Sequence, residues 1–181
     1  MHTDEERSLL QNALSFDESA LAEIYDRYQA ALYRYAYRLL GDPQLAEDCL
    51  ADTFFRFLKN LRKGNAPTEN LRAYLYRIAH NWITDYYRRS QRALEQELSD
   101  NLTKNEDLDE KISTREQNKI VRSAILSLTP DQQQVVILKY FEGWQNEEIA
   151  RSLGKRVGAV KALLHRSLVT LRKKCDLQEK E

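Results

Sequence analysis

Apolar residues in this 181-residue chain recur at spacings of three and four rather than two, the period of helices and not of strands. Five glycines and three prolines supply few of the turns that a strand architecture needs. The expected fold class is therefore all-α. Leu21, Ile24, Tyr25, Tyr28, Leu32, Tyr35 and Leu39 trace one stripe between Ala20 and Leu40, an amphipathic helix with that face turned to a core. Gly41-Asp42-Pro43 ends it, and Asp42 caps the next helix with Pro43 at its first position. Along that second helix Ala46, Leu50, Phe54, Phe57 and Leu61 point inward, leaving Glu47, Asp48, Ala51, Asp52 and Phe55 outside. The loop RKGNAPTEN leads to a third helix whose stripe is Leu71, Leu75, Ile78, Ala79, Trp82 and Ile83. Its other faces are basic and aromatic, and the spacing of Tyr74 and Trp82 assigns both to core packing.

Between Ala93 and Arg115 the pattern weakens into sparse apolar residues, many acids and several turn-formers. Periodicity returns at IVRSAILSL, and Thr129-Pro130-Asp131-Gln132 fits a capping box. The chain thus divides into two small helical domains, 1–92 and 115–181, joined by an acidic linker over 93–114 with some local helix. In the second domain a helix over about 146 to 153 opens on Glu147 and Glu148, which suit its positive end. Gly154 permits a tight turn into a longer helix from about 157, which is helix-turn-helix spacing. Val160, Leu164, Leu168 and Leu171 face inward there, so Arg156, Lys161, Ala162, His165 and Arg166 project from its first half, just after Lys155. Those are the positions that meet DNA in this motif.

Charge sharpens the picture. The formal net charge is zero, yet no acid occurs from Ile149 to Cys175, while Glu95, Glu97, Asp100, Glu106, Asp107, Asp109 and Glu110 crowd the middle. An ordinary surface mixes both signs; a surface of one sign on a helix-turn-helix points to DNA. The plainer alternative is a helical hairpin with a solvated basic face. Composition, 42% hydrophobic and 31% charged, suits one ordinary core or two small ones. The start MHTDEERSLL lacks a basic segment followed by an apolar run, and no apolar stretch reaches about 18 residues, so the expectation is a cytoplasmic protein without membrane insertion. Cys49 and Cys175 are isolated, His2, His80 and His165 are scattered, and no glycine-rich phosphate loop occurs. No catalytic residue, metal site or cofactor is expected, and the chain is not read as an enzyme.

The stretch LTPDQQQVVILKYFEGWQNEEIARSLGKRVGAVKALLHRSLVTLRKK resembles region 4 of bacterial sigma factors of the extracytoplasmic-function group in the sigma-70 family. LYRYAYRLLGDPQLAEDCLADTFFRFLKNL, followed by LRAYLYRIAHNWITDYYRRSQR, resembles their region 2, in the family's order and with a linker between. The resemblance implies a protein that binds core RNA polymerase and directs it to promoter DNA. It places Glu47, Asp48, Asp52 and Phe55 on the polymerase clamp, with Ala51 standing where the family usually has Gln. It implies minus-ten binding by Arg62, Lys63, Asn81, Asp85, Tyr86, Tyr87, Arg88 and Arg89, in which Asn81 pairs with a base edge and Asp85 orients an arginine. Minus-thirty-five binding falls to Lys155, Arg156, Lys161, Ala162, His165 and Arg166, although Arg156 and Leu163 depart from the family's usual Ser and Arg. The acids of the linker would imitate a phosphate backbone in a polymerase channel. An anti-sigma factor, frequent in the family, is a further expected partner.

Two other readings compete. A helix-turn-helix regulator acting without core polymerase accounts for 115–175 but not for the acidic helix bearing Phe55. A sigma-like module that only binds polymerase needs Asp48, Asp52 and Phe55 but no basic promoter faces.

Overall fold

The computed structural model describes residues 2–65, 67, 70–100 and 123–178. Four helices build the amino-terminal half: α1 His2–Leu14, α2 Glu18–Leu40, α3 Pro43–Arg62 and α4 Leu71–Asp100. Helix α2 starts where the Asp17 carboxylate accepts the Ala20 N–H at 2.8 Å and buries Ile24, Tyr28, Leu32, Tyr35 and Leu39. Tyr25, expected in that stripe, is 42% exposed. One position separates it from Ile24, and that 100° step carries its ring outward against Phe54, centroids 4.8 Å apart. Helix α3 begins as its sequence implies, with Asp42 accepting from Leu45 N–H at 2.8 Å. Its buried stripe is Ala46, Cys49, Thr53, Phe57 and Leu61, so Leu50 and Phe54 are flanks that are only partly buried. Cys49 and Thr53 fit a closer approach to α4 than larger residues would: the Cys49 thiol lies 3.7 Å from the Ala79 carbonyl oxygen. Burial pushes that thiol up to about 12, which leaves it inert.

Helix α1 was not anticipated, because Leu9, Leu10 and Ala13 are too few to display a period. All three are buried. The Glu6 carboxylate anchors this helix by accepting from the Tyr28 hydroxyl at 3.4 Å and from the Arg72 backbone N–H at 3.1 Å. Helix α4 inserts Leu71, Leu75, Tyr76, Ile78, Ala79 and Ile83 into the core. Trp82 and Tyr74 pack against that core part-buried. The helix continues to Asp100, through the first residues of the segment read as linker; Glu106, Asp107, Asp109 and Glu110 lie outside the described residues.

In the carboxyl-terminal half a helical turn at 123–126 precedes α5 Pro130–Val136, a π-helical turn Ile137–Phe141, α6 Asn146–Leu153 and α7 Val157–Gln178. The capping box at Thr129 is formed reciprocally: Thr129 accepts from Gln132 N–H, and Gln132 accepts from Thr129 N–H. Gly143, at φ 71°, reverses the chain after the π turn so that Trp144 N–H reaches the Leu138 carbonyl at 2.9 Å. Gly154, at φ 61°, closes α6 in the left-handed conformation that few other residues adopt. On α7 Val160 and Leu164 are buried as expected, but Leu168 is 45% exposed. Ser167 is buried in its place, its hydroxyl donating to the Leu163 carbonyl at 2.7 Å. Among the described residues no helix is long and apolar enough to cross a membrane.

Replacing Thr129 with Ala removes one half of the capping box and should cost about 1 kcal/mol, read from chemical denaturation. His80 is 5% exposed, with Nδ1 2.7 Å from the Tyr35 hydroxyl. Burial lowers its pKa from 6.5 to about 4, against the smaller upward pull of the Pro130 backbone and the Asp131 carboxylate. Because the folded state disfavours the charged ring, His80 contributes stability above its unfolded pKa and loses that contribution as pH falls from about 6.5 towards 4. Denaturation of the parent and of His80→Gln across this range should show a steeper decline in the parent. Parallel curves would contradict the assignment.

Candidate nucleic-acid interface

Three surfaces carry the residues singled out from the sequence. The outer face of α3 exposes Glu47, Asp48 and Ala51, and Phe55 is 62% exposed, the most exposed large apolar side chain among the described residues. Asp52 is half-covered and pairs with Arg56 Nε at 2.5 Å. Leu58, 38% exposed, lies one turn beyond Phe55 and extends the apolar strip. Spacing of three from Phe55 was the available signal for it. A side chain such as Phe55 left in water by a folded helix, with Asp52 one turn and Asp48 two turns before it on the same face, is the pattern of an interface anchor with a polar rim.

The second surface is a cleft of about 480 Å³ between the end of α3 and the start of α4, lined by Arg56, Lys59, Asn60, Lys63, Tyr74, Arg77, Ile78 and Asn81. Asn60 donates to the Tyr74 hydroxyl at 2.6 Å, which orients that ring at the wall. Four cations line it, of which Arg56 is paired with Asp52 and Arg77 donates to the Ser152 carbonyl; cations of this kind hold phosphates, and the Asn81 amide can both donate to and accept from a base edge. Of the predicted minus-ten residues, Lys63 and Asn81 line this cleft. Arg62 instead sits over the Phe16 ring at 5.9 Å. Asp85 orients Arg88 by an ion pair at 3.2 Å, and Arg89 Nε donates to the Asp85 carbonyl at 3.3 Å. Tyr86 stacks parallel on Trp82 with centroids 5.8 Å apart, whereas the Tyr87 hydroxyl donates to the Leu39 carbonyl at 2.5 Å and ties α4 to the end of α2. Arg56, Lys59, Asn60 and Arg77 were missed. They come from two helices separated by a loop, and nothing in linear spacing brings them together.

The third surface is the first half of α7. Arg156 stands at its start, where its carbonyl accepts from Ala159 and Val160 N–H. Arg156, Lys161, Ala162, His165 and Arg166 are all exposed. Lys155 is engaged with Asp131 at 2.8 Å, and Leu163 is part-buried against the core. The face therefore offers positive charge and a small residue, Ala162, that lets the helix approach a groove closely.

Residues 24–93 match the sigma-70 region 2 family model and residues 118–171 match the sigma-70 region 4 model. The chain is 31% identical over 166 residues to the ECF RNA polymerase sigma factor BldN of Streptomyces coelicolor, covering 90% of this chain and 63% of that relative's length. It is 32% identical over 151 residues to the RNA polymerase sigma-E factor of Streptomyces avermitilis, covering 83% and 82%. Its fold is similar to that of the sigma factor RpoE in complex with the anti-sigma factor NepR from Bartonella quintana, with a TM-score of 0.62, 20% identity and coverage of 86% and 96%. Both matched regions follow each other in order on one chain: the chain belongs to the sigma-70 family of RNA polymerase sigma factors, in its extracytoplasmic-function group.

Proposed function

We propose that this protein docks on core RNA polymerase through the outer face of α3, captures the displaced minus-ten strand in the α3–α4 cleft, and reads duplex DNA at minus thirty-five with the first half of α7. The observation that supports this reading above others is the cleft, where four cations, an oriented tyrosine and the Asn81 amide converge on a space of about 480 Å³. A regulator working without polymerase has no use for a single-strand pocket or for an exposed Phe55. A module that merely blocks polymerase has no use for the basic α7. Action in the cytoplasm follows from these partners, and an anti-sigma factor is a further partner by likeness to the RpoE complex. Run-off transcription with purified core polymerase on a promoter library tests the whole reading: no promoter-specific product would refute it.

Asp48, Asp52 and Phe55 changed together to Ala should abolish association with core polymerase in a titration. Because none is fully buried, unfolding free energy should move by less than about 1 kcal/mol. Unchanged core affinity would remove α3 from the interface.

Asn81→Ala should redraw the minus-ten preference in a promoter-library selection. Lys161→Ala and Arg166→Ala should instead weaken duplex binding evenly across sequences, each reducing the salt slope by about 1. Reversed roles in that selection would overturn the allocation of single-strand and duplex contacts.

A further inference from the structure

Helices α2, α3 and α6 each end on a glycine in the left-handed conformation: Gly41 at φ 67°, Gly64 at φ 70° and Gly154 at φ 61°. Helix α1 ends in the same way on Phe16, at φ 57°. Its Asp17 N–H reaches the Asn12 carbonyl at 3.2 Å and the Phe16 N–H reaches the Ala13 carbonyl at 3.0 Å, the pair of bonds that closes a helix through a left-handed residue. After α3 the same two bonds run from Asn65 to Asn60 and from Gly64 to Leu61. Only Ser15 and Phe16 stand between α1 and Asp17, which already caps α2. One of them has to reverse the chain, and a bulky side chain is an outlier in a conformation that glycine adopts freely.

Local packing does not account for the choice. The apolar contact that often accompanies such a turn would join residues 12 and 17, which here are Asn and Asp. The Phe16 ring is 39% exposed and so stays outside the core. The Arg62 guanidinium lies 5.9 Å from its centre, a contact of modest strength at an exposed site. A strained backbone that presents an exposed ring is a local cost of the kind retained where it serves a function.

What the ring lies next to follows from α3. Leu58 is one turn beyond Phe55 and Arg62 one turn beyond Leu58, and all three are exposed. Arg62 is therefore about 10 Å past Phe55 along the helix axis, and Phe16 prolongs the apolar strip beyond it. Lys59 and Lys63 line the cleft towards α4; Arg62, a step of about 100° from Lys63, meets Phe16 instead. Sigma factors bind core RNA polymerase and promoter DNA. The carboxylates of Glu47 and Asp48 on the same helix repel phosphates, which leaves polymerase as the partner for this strip.

We propose that Phe16 is a second apolar anchor of the polymerase-binding face, and that Arg62 is the residue that positions its ring. The turn between α1 and α2 then belongs to the same contact as Phe55, with two turns of α3 between the anchors. The identity of the partner rests on the α3 reading above; the strained, exposed ring does not.

The test titrates the full chain against purified core polymerase and follows thermal unfolding of the same proteins. Phe16→Gly removes the ring and relaxes the turn, so it should weaken core binding about tenfold with an unfolding midpoint no lower than the parent's. Phe16→Tyr keeps a ring and should bind like the parent. Arg62→Ala should weaken binding by a smaller factor and add nothing to Phe16→Gly, whereas Arg62→Lys, which keeps a cation beside the ring, should recover part of the loss. Phe55→Ala reports on the face itself. If it weakens core binding and Phe16→Gly does not, the second anchor is overturned and the α3 reading stands. If Phe16→Gly alone weakens binding, the anchor stands and Phe55 loses its role. If neither does, polymerase does not meet this face and both fail. Weaker binding by Phe16→Gly together with a lower midpoint assigns the ring to the fold and also overturns the proposal.

Discussion

Helix α4 has to satisfy two surfaces at once, and the arrangement of both halves depends on its doing so. Its stripe of Leu71, Leu75, Ala79 and Ile83 is buried against α2 and α3. Burial of each such leucine or isoleucine is worth roughly 1.5 to 3 kcal/mol, which sets the rotation of the helix about its axis. Once that rotation is set, Arg72, Tyr76 and Arg77 are aimed at the carboxyl-terminal half, while Tyr74, Arg77, Ile78 and Asn81 are aimed at the cleft beside α3. Neither surface can be re-aimed without disturbing the core.

Tyr76 shows how closely these demands are joined. Its ring packs edge-on to Tyr35 at 5.1 Å inside the amino-terminal core and edge-on to Trp144 on the other side. Its hydroxyl, held protonated by burial and by donation to Glu142, has its pKa pushed far up. An apolar residue there would fill the same space and leave the Glu142 carboxylate one donor short in a covered site. A buried ionic contact of this kind adds little net stability over an apolar pair, but it penalises misaligned docking. In this protein it joins α2 and α4 to the carboxyl-terminal half.

The three candidate binding surfaces differ in how they are made. The α3 and α7 faces are each displayed by one helix, so a partner meets charges at fixed helical spacing and the helix needs no neighbour to position them. The cleft requires two helices and the turn between them. Asn60 holding Tyr74 and the closeness of Cys49 to Ala79 keep those helices together, which is why small changes at buried positions of α3 can be felt in the cleft.

Much of this was determined by the sequence alone. Helical period, the Asp42-Pro43 and Thr129-Gln132 caps and the Gly154 turn are local features, decided within a few residues by backbone hydrogen bonding and sterics, and each appears where the sequence implies. The exposed sides of α3 and α7 were legible for the same reason, since one helix displays each. Tyr25, Leu50, Phe54 and Leu168 were misplaced because a stripe defined by hydrophobicity alone is broader than the strip a neighbour can cover; Cys49, Thr53 and Ser167 take the dry positions where helices approach closely. Helix α1 depends on its fit to Tyr28 and Arg72, and the cleft and the Glu142 contacts join residues 14 to 104 positions apart. No period within one helix encodes such meetings; they exist only once apolar burial has set how the helices are turned towards one another.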